Sequence, residues 1–424
     1  MDQLARRLGL SDAVVIGLGA MLGAGVFVAY TPAAKAAGSW LLLALAVAAG
    51  IAYANATASA RLAARYPDSG GTYIYGRERL GPFWGYLAGW AFVAGKLSSC
   101  AAIAWTIGLY AWPGQAREVA IAAVVLVTAL NYRGITRSVA VSRILVFVVA
   151  ATLVVAAVLL LVAEPTVTGS TGSRAADAGP LAHLSPGGPL GILTAAGFLF
   201  FAFAGYARIA TLGEEVLDPA RTIPRAIPIA LGITTALYAV VALALLYSRG
   251  ASVIATDPAP LAGAVAATGI PGAAGIIRVV AVLAAFGSLL ARLLGVSRTA
   301  LAMARDRHLP PPLAAVHPRF GVPHLAELAG AVLVILLLLL GHLVTAISFS
   351  SICVLTYYAI TNAAARTLEA QTRAHRVLPV VGIVGCLVLA VVQPLSSVLT
   401  AAAVLLSGAI IYAVHHPHGE EVRT

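Results

Sequence analysis

The sequence predicts an all-α membrane protein with twelve transmembrane helices, and three observations carry that expectation. Of 424 residues, 60% are hydrophobic and only 10% charged, whereas a soluble domain is roughly a quarter charged. Apolar runs near 20 residues, the helical length that spans a hydrocarbon core of roughly 30 Å, recur from one end of the chain to the other. Most of the arginines fall in the short stretches between them.

The runs occupy 12–35, 39–64, 82–111, 117–132, 140–163, 191–213, 226–248, 273–303, 324–342, 345–365, 377–392 and 395–414. The first follows a polar start, Met1 to Arg7, and continues as a Gly-rich apolar segment without a small-residue cleavage site, so it reads as a retained helix and not a removable signal peptide. The second contains Asn55, which heads a formal glycosylation tripeptide but lies mid-segment, out of reach of that chemistry. After the fifth, the stretch 164–190 is rich in Gly, Pro, Ser and Thr and reads as an irregular outer loop. It divides the chain into a first half of five helices (1–163) and a second half (191–365), followed by two C-terminal helices and a short cytoplasmic tail (366–424). Cys100, Cys353 and Cys386 all fall inside apolar runs and read as small packing residues.

The net charge of +11 does not point to nucleic acid, because the basic residues follow topology. With the N-terminus cytoplasmic, nineteen of the 27 basic residues, from Arg6 and Arg7 to Arg423, fall on the inner side. The outer loops then hold only Lys35, Arg117, Arg174, Arg249 and Arg278. The bias orients both termini to the cytoplasm of a cell membrane.

Segment one carries GLGAMLGAGVF at 17–27, with Gly17, Gly19, Gly23 and Gly25. Each glycine costs about 1 kcal/mol relative to Ala inside a helix. Two explanations fit: a close helix crossing through small residues, or an unwound break. Segment six repeats the feature at the corresponding place in the second half, where Gly205 interrupts the aromatic run GFLFFAFAGYARIATLGEE at 197–215. Paired interruptions favour breaks that expose backbone N–H and C=O groups at the bilayer midplane. Peptide dipoles of this kind satisfy a zwitterionic amino acid without an ionised side chain. Phe198, Phe200, Phe201 and Phe203 are core or lipid-facing candidates as a group, with one of them a candidate gate.

GLGAMLGAGVF at 17, GGTYIYGRERLGPFWGYLAGW at 70, FFAFAGYARIATLGEEVLDPARTIPRAI at 200 and SRTALAMARDRHLP at 297 together resemble the signatures of the amino acid, polyamine and organocation permease superfamily, in the same order. That resemblance implies the five-plus-five inverted-repeat fold also seen in the bacterial leucine transporter, with helices one and six interrupted. It implies a permease that carries an amino acid or related amine, with no cofactor and no enzymatic activity. By the same resemblance, Met21, Gly23, Ala24 and Gly25 match the substrate cradle of the first helix. Phe201 matches an aromatic gate, Ala204 a backbone contact and Gly205 the second break, and Phe203 is a further gate candidate. Two departures stand out. Many members place an acid two residues after the segment-six glycine, where this chain has Ala207 followed by Arg208, and others place a lysine midway along segment five, where the best match is Val149.

Three basic residues lie within spans without an acidic neighbour in the same span: Lys96, Arg208 and Arg292. Each costs about 3 kcal/mol at the bilayer centre on an insertion scale, so they are expected to face protein or water. Arg208 and Arg292 are coupling candidates, with snorkelling to an aqueous edge or bonding to helix carbonyls as the alternative for each. Lys96 is one of two lysines against 25 arginines, and an amine loses its proton on burial far more readily than a guanidinium. It is the candidate replacement for the segment-five lysine, with Ser98, Ser99 and Ser288 as polar neighbours, and it makes protons rather than sodium the candidate coupling ion.

Asp12, Glu214, Glu215 and Glu327 are all assigned to segment ends. Without a mid-span acid, neutral amino acids fit best, acidic ones next, and cationic ones or polyamines less well. Glu214, Glu215 and Asp218 are candidates for a cytoplasmic gate pairing with arginines at 77–79 or 305–307, a solvated helix end being the alternative. His308, His317, His324, His415, His416 and His418 lack metal-ligand spacing. The competing functions are an amino acid or polyamine exchanger and a non-transporting receptor. An embedded enzyme would need a nucleophile–base set or a metal cluster, and the spans offer neither.

Overall fold

The computed structural model describes residues 8–66, 70–134, 139–163, 188–210, 216–369 and 372–415. The described chain is helical and has no strand; its only β-type pairing is a single bridge from Leu8 to Val216.

The first apolar run is split into α1 (Leu10–Met21), α2 (Gly25–Val28) and α3 (Tyr30–Ala37). At its start the Asp12 carboxylate accepts the Gly9 N–H at 3.1 Å, one of the donors that a helix N-terminus leaves unpaired. Next come α4 (Leu41–Arg65), the short α5 (Thr72–Leu80), α6 (Pro82–Ala111), α7 (Ala116–Tyr132) and α8 (Val139–Val162). The second half opens with α9 (Gly188–Phe203) and α10 (Ala207–Ala210), then α11 (Pro219–Ile254), α12 (Pro260–Ala266) and α13 (Ala273–Arg305). It closes with α14 (His324–Leu340) and α15 (Leu343–Arg366), and α16 (Arg373–Val391) and α17 (Leu395–His415) complete the chain.

Ten helical stretches are long and apolar enough to cross a membrane, and the apolar α9 and α14 are shorter. The expected boundaries of most runs lie within a few residues of these helices. Three expectations change. The stretch before 226, taken as a helix end and loop, is helical from Pro219, because proline at the first helical position gives up no intrahelical bond. Helices α5 and α12 were not expected; both are short, and α5 is bracketed by Gly71 at φ 57° and Gly81 at φ 108°, turns that hide a brief helix from a span-length search.

The centre of the molecule is α6, buried along most of its length and packed against α13 and α15. Helix α4 packs on α9 and α11, while α1 lies between α8 and α11. Large apolar side chains on α7, α8, α14, α16 and α17 point outward, as expected of surfaces solvated by lipid chains.

In an apolar surround, polar side chains need partners inside the protein. Asn55 of α4 is fully buried, and its Oδ1 accepts from Nδ2 of Asn362 on α15 at 2.6 Å. Cys386 of α16 approaches the same oxygen at 3.4 Å. The tripeptide at Asn55 is therefore a helix-joining element. Replacing Asn362 with Leu leaves Asn55 without its amide partner and is expected to destabilise the protein by about 1–2 kcal/mol, read as a lowered thermal unfolding midpoint in detergent; an unchanged midpoint would show that the amide pair adds nothing.

Candidate functional site

Helix α1 stops at Met21, and Leu22, Gly23 and Ala24 leave the helical path before α2 begins at Gly25. Among the described residues, the N–H groups of Gly23, Ala24 and Gly25 make no backbone hydrogen bond. In the second half α9 stops at Phe203, and Ala204, Gly205 and Tyr206 form a turn before α10. The two glycine-rich sequences thus produce real breaks, and the breaks touch. A Cβ added at Gly205 would lie 2.4 Å from the carbonyl of Ala20, and one at Gly25 would lie 2.5 Å from the Cα of Ala202. Only glycine allows backbone to approach backbone this closely.

The two explanations for the segment-one glycines apply at different positions. Gly17 lies within α1 and receives Ile209 of α10, where a Cβ would fall 2.3 Å from the isoleucine Cδ1, so it is a close crossing. Gly23 lies within the break and Gly25 ends it.

Freed carbonyls in a low-dielectric interior require donors, and side chains supply them. The Tyr238 hydroxyl of α11 donates to the Met21 carbonyl at 2.6 Å and lies 3.3 Å from that of Ala202. Arg292 of α13 donates to Ala20 at 3.3 Å and to the Ser99 hydroxyl, and its guanidinium lies over the Phe201 ring, 5.8 Å from the centroid. Lys96 of α6 is buried; its ammonium donates to the Ala204 carbonyl at 3.2 Å and lies over the Phe92 ring at 5.6 Å. The two cations are within electrostatic reach of each other. Ser288 is packed against Gly23, and its buried hydroxyl has no hydrogen-bond partner.

The expected residues therefore separate into two groups. Met21, Gly23, Ala24, Gly25, Phe201, Ala204 and Gly205 are all buried and line the two breaks, with Lys96, Arg292 and Ser288 around them. Phe203, the last residue of α9, is buried immediately before the second break, its ring 5.2 Å from that of Tyr238. Ser98 belongs elsewhere: its hydroxyl donates to Ala346 of α15 at 2.9 Å. Arg208 is exposed on α10, one turn past the break. Val149 is buried in α8.

Of the cytoplasmic-gate candidates, only Asp218 is among the described residues. Glu214 and Glu215 lie outside the described residues. Asp218 faces Arg221 of its own helix start at 3.6 Å, whereas Arg77 pairs with Asp306 at 3.6 Å. Tyr73 of α5 donates to Asp306 and lies 2.9 Å from His308 Nδ1. Burial, and then the Asp306 carboxylate beside it, push the Tyr73 phenol well above its usual range, so it remains a donor. This tie between α5 and the end of α13 uses local geometry that spacing alone did not reveal.

The sequence analysis missed Tyr238 and gave no partner for Glu327. Tyr238 was available as a tyrosine midway along an apolar span, whose hydroxyl must find an acceptor. Glu327 is in the first turn of α14 yet buried, accepting from Asn131 of α7 at 2.8 Å. Among the described residues, no group of three or more His, Cys, Asp and Glu side chains is arranged to hold a metal ion.

Comparison with known proteins adds the following. The profile described as "Amino acid permease" matches residues 8–415. An uncharacterized transporter of Mycobacterium tuberculosis is 58% identical over 414 residues, covering 97% of this chain and 92% of that protein. The branched-chain amino acid permease of Bacillus subtilis is 28% identical over 347 residues, covering 76% of this chain and 72% of that protein. A methylthioribose transporter of the same organism is 29% identical over 344 residues, with coverage of 76% and 72%.

The geometry makes separate demands on hydroxyl and glycine. Tyr238→Phe removes one donor and is expected to cost about 1–2 kcal/mol. Gly25→Ala presses a methyl group into the backbone of α9 and is expected to lower the thermal unfolding midpoint further than Tyr238→Phe does. If Gly25→Ala unfolds at the wild-type midpoint, the two breaks are not in close contact.

Proposed function

Because the chain belongs to the amino acid permease family, we propose that it is a secondary active transporter carrying an amino acid or related amine across the cytoplasmic membrane by alternating access, without sodium and with protons as the driving ion. In this proposal α9 and α14 also cross, giving twelve spans with both termini cytoplasmic. Residues 1–163 and 191–365 form the two inverted repeats around the loop 164–190, and 366–424 holds two added helices and the tail.

The observation that carries the proposal is the contact between two helix breaks, one in each half of the chain, near their centres. The unpaired N–H groups of Gly23, Ala24 and Gly25 suit the carboxylate of an amino acid, since aligned peptide dipoles and free N–H groups attract anions. The Ser288 hydroxyl beside Gly23 is a further donor for the same group. Carbonyls of the breaks, Ala204 among them, suit the ammonium. Phe201, held under Arg292, is placed to close over the solute.

Charge supports a ranking of solutes. Lys96 and Arg292 both reach the breaks, and their described partners are carbonyls, a hydroxyl and aromatic faces, with no carboxylate among them. A positive surround of this kind opposes dicationic polyamines, while the N–H and C=O groups of the breaks meet both ends of a zwitterion, so neutral amino acids rank first in this proposal and acidic ones next.

Lys96 is the candidate coupling residue, because its ammonium is bonded to the carbonyl of the second break and a lysine, unlike an arginine, can discharge on burial. Reconstituted protein is expected to take up a labelled neutral amino acid without sodium and faster with an inward proton gradient. Sodium dependence, or flux only against a preloaded counter-solute, would replace this mechanism with symport on sodium or with exchange. Lys96→Ala is expected to slow uptake by about tenfold, the effect of losing a charged hydrogen bond of roughly 1.5 kcal/mol, and to flatten its pH profile. An unchanged rate and profile would remove Lys96 from the mechanism.

A further inference from the structure

A groove of about 560 Å³ lies far from the helix breaks in character, on the outer face between α7 and α14. Its walls are Val125, Ala129, Leu328, Ala331, Val332 and Ile335, and Val125, Leu328 and Val332 are exposed along it. Thr128, in the wall, turns its hydroxyl proton to Val124 of its own helix at 2.7 Å. Whatever fills the groove along these walls must be hydrocarbon.

One end of the groove is different. Arg133 lines it, is exposed, and forms no ion pair among the described residues. Phe320 closes the same end, and the guanidinium of Arg319 lies over its ring at 5.5 Å. Gly134, at φ 72°, turns the chain after α7 so tightly toward this loop that an added Cβ would lie 3.4 Å from the Phe320 carbonyl. The nearby carboxylate, Glu327, is buried and bonded to Asn131, so it does not neutralise the arginines. Tyr132 packs edge-on against His317, Phe320 and His324 at 5.4, 6.1 and 6.1 Å, an aromatic and amphipathic cluster of the sort found at membrane–water interfaces.

From an apolar trough in a lipid-facing surface that ends at Arg133 and at Phe320, over whose ring Arg319 lies, we infer that α7 and α14 bind one anionic phospholipid, its acyl chain in the groove and its phosphate at Arg133 and Arg319. A neutral lipid leaves the two arginines without a counter-charge, and free phosphate leaves the trough unfilled. The occupant braces the same two helices that carry the Asn131–Glu327 hydrogen bond, and Asn131 also donates to Leu290 of α13 at 3.2 Å. The bound lipid therefore steadies the helix that presents Ser288 and Arg292 to the breaks. This inference does not depend on which solute is carried.

The test is native mass spectrometry of the full chain in detergent, titrated with palmitoyl-oleoyl phosphatidylglycerol, the matching phosphatidylcholine, and inorganic phosphate. The expected result is one phosphatidylglycerol bound in preference to phosphatidylcholine, with no adduct from phosphate alone. Arg133→Gln is expected to weaken phosphatidylglycerol binding about fivefold, the worth of one arginine at an anionic lipid surface, and Arg133→Lys to restore most of it. Ala129→Phe fills the trough from an exposed position and is expected to abolish the site. If that variant unfolds early without lipid, Val332→Phe, also exposed, gives the same reading. Equal binding of the two lipids, affinity unchanged by Arg133→Gln, or binding unchanged in both trough-filling variants would overturn the inference.

Discussion

An interrupted helix inside an apolar protein leaves peptide groups that no water can satisfy, and the arrangement around the site follows from meeting that demand. Five carbonyls at or beside the breaks, those of Ala20, Met21, Phe27, Ala202 and Ala204, receive side-chain donors or lie within reach of one. The donors come from α6, α11 and α13, so each of these helices is tied to a break by at least one long-range bond. Tyr238 also accepts through its own backbone carbonyl, from the Tyr30 hydroxyl at 2.8 Å, which fastens α11 to α3 beyond the first break.

The same demand explains why two cations occupy the interior. A buried charge is usually balanced by an opposite charge, but Lys96 and Arg292 are held by carbonyl dipoles and by the faces of Phe92 and Phe201. A cation over an aromatic face gains roughly 0.5–2 kcal/mol, and a hydrogen bond to a charged group roughly 1.5–3 kcal/mol. Together these offset an insertion cost of about 3 kcal/mol per charge. The breaks and the cations therefore stabilise each other: the carbonyls exist because the helices are broken, and the breaks are tolerable because donors reach them.

Much of this was legible in the sequence. Periodic apolar length located nearly every long helix, and glycine placement located both breaks, because glycine in a span carries a cost that only close approach or unwinding offsets. Lys96 and Arg292 were legible as charges in the wrong solvent. What spacing could not supply was direction. Ser98 and Ser99 are adjacent in sequence, yet one turns to Ala346 and the other to Arg292, because neighbouring residues on a helix point about 100° apart. Arg208, one turn past the break, reaches the exposed surface of α10. Glu327 was placed near a segment end, and it does fall in the first turn of α14, but that position did not reveal that α7 and α13 cover the turn and bury the carboxylate against Asn131. Position along a helix gives depth in the membrane; it does not say what packs beside it.

Glu327 completes the physical picture of α13. On one side this helix offers Ser288 to Gly23 and Arg292 to Ala20 and Phe201. On another, the Leu290 carbonyl accepts from Asn131, which is held in turn by Glu327. Two residues on either side of Leu290 thus touch the first break, and Leu290 itself is pinned to the peripheral helices. Any motion that opens the breaks must exchange the Arg292 and Lys96 bonds for others, whereas the Asn131–Glu327 bond joins α7 to α14 and shares no donor or acceptor with those bonds.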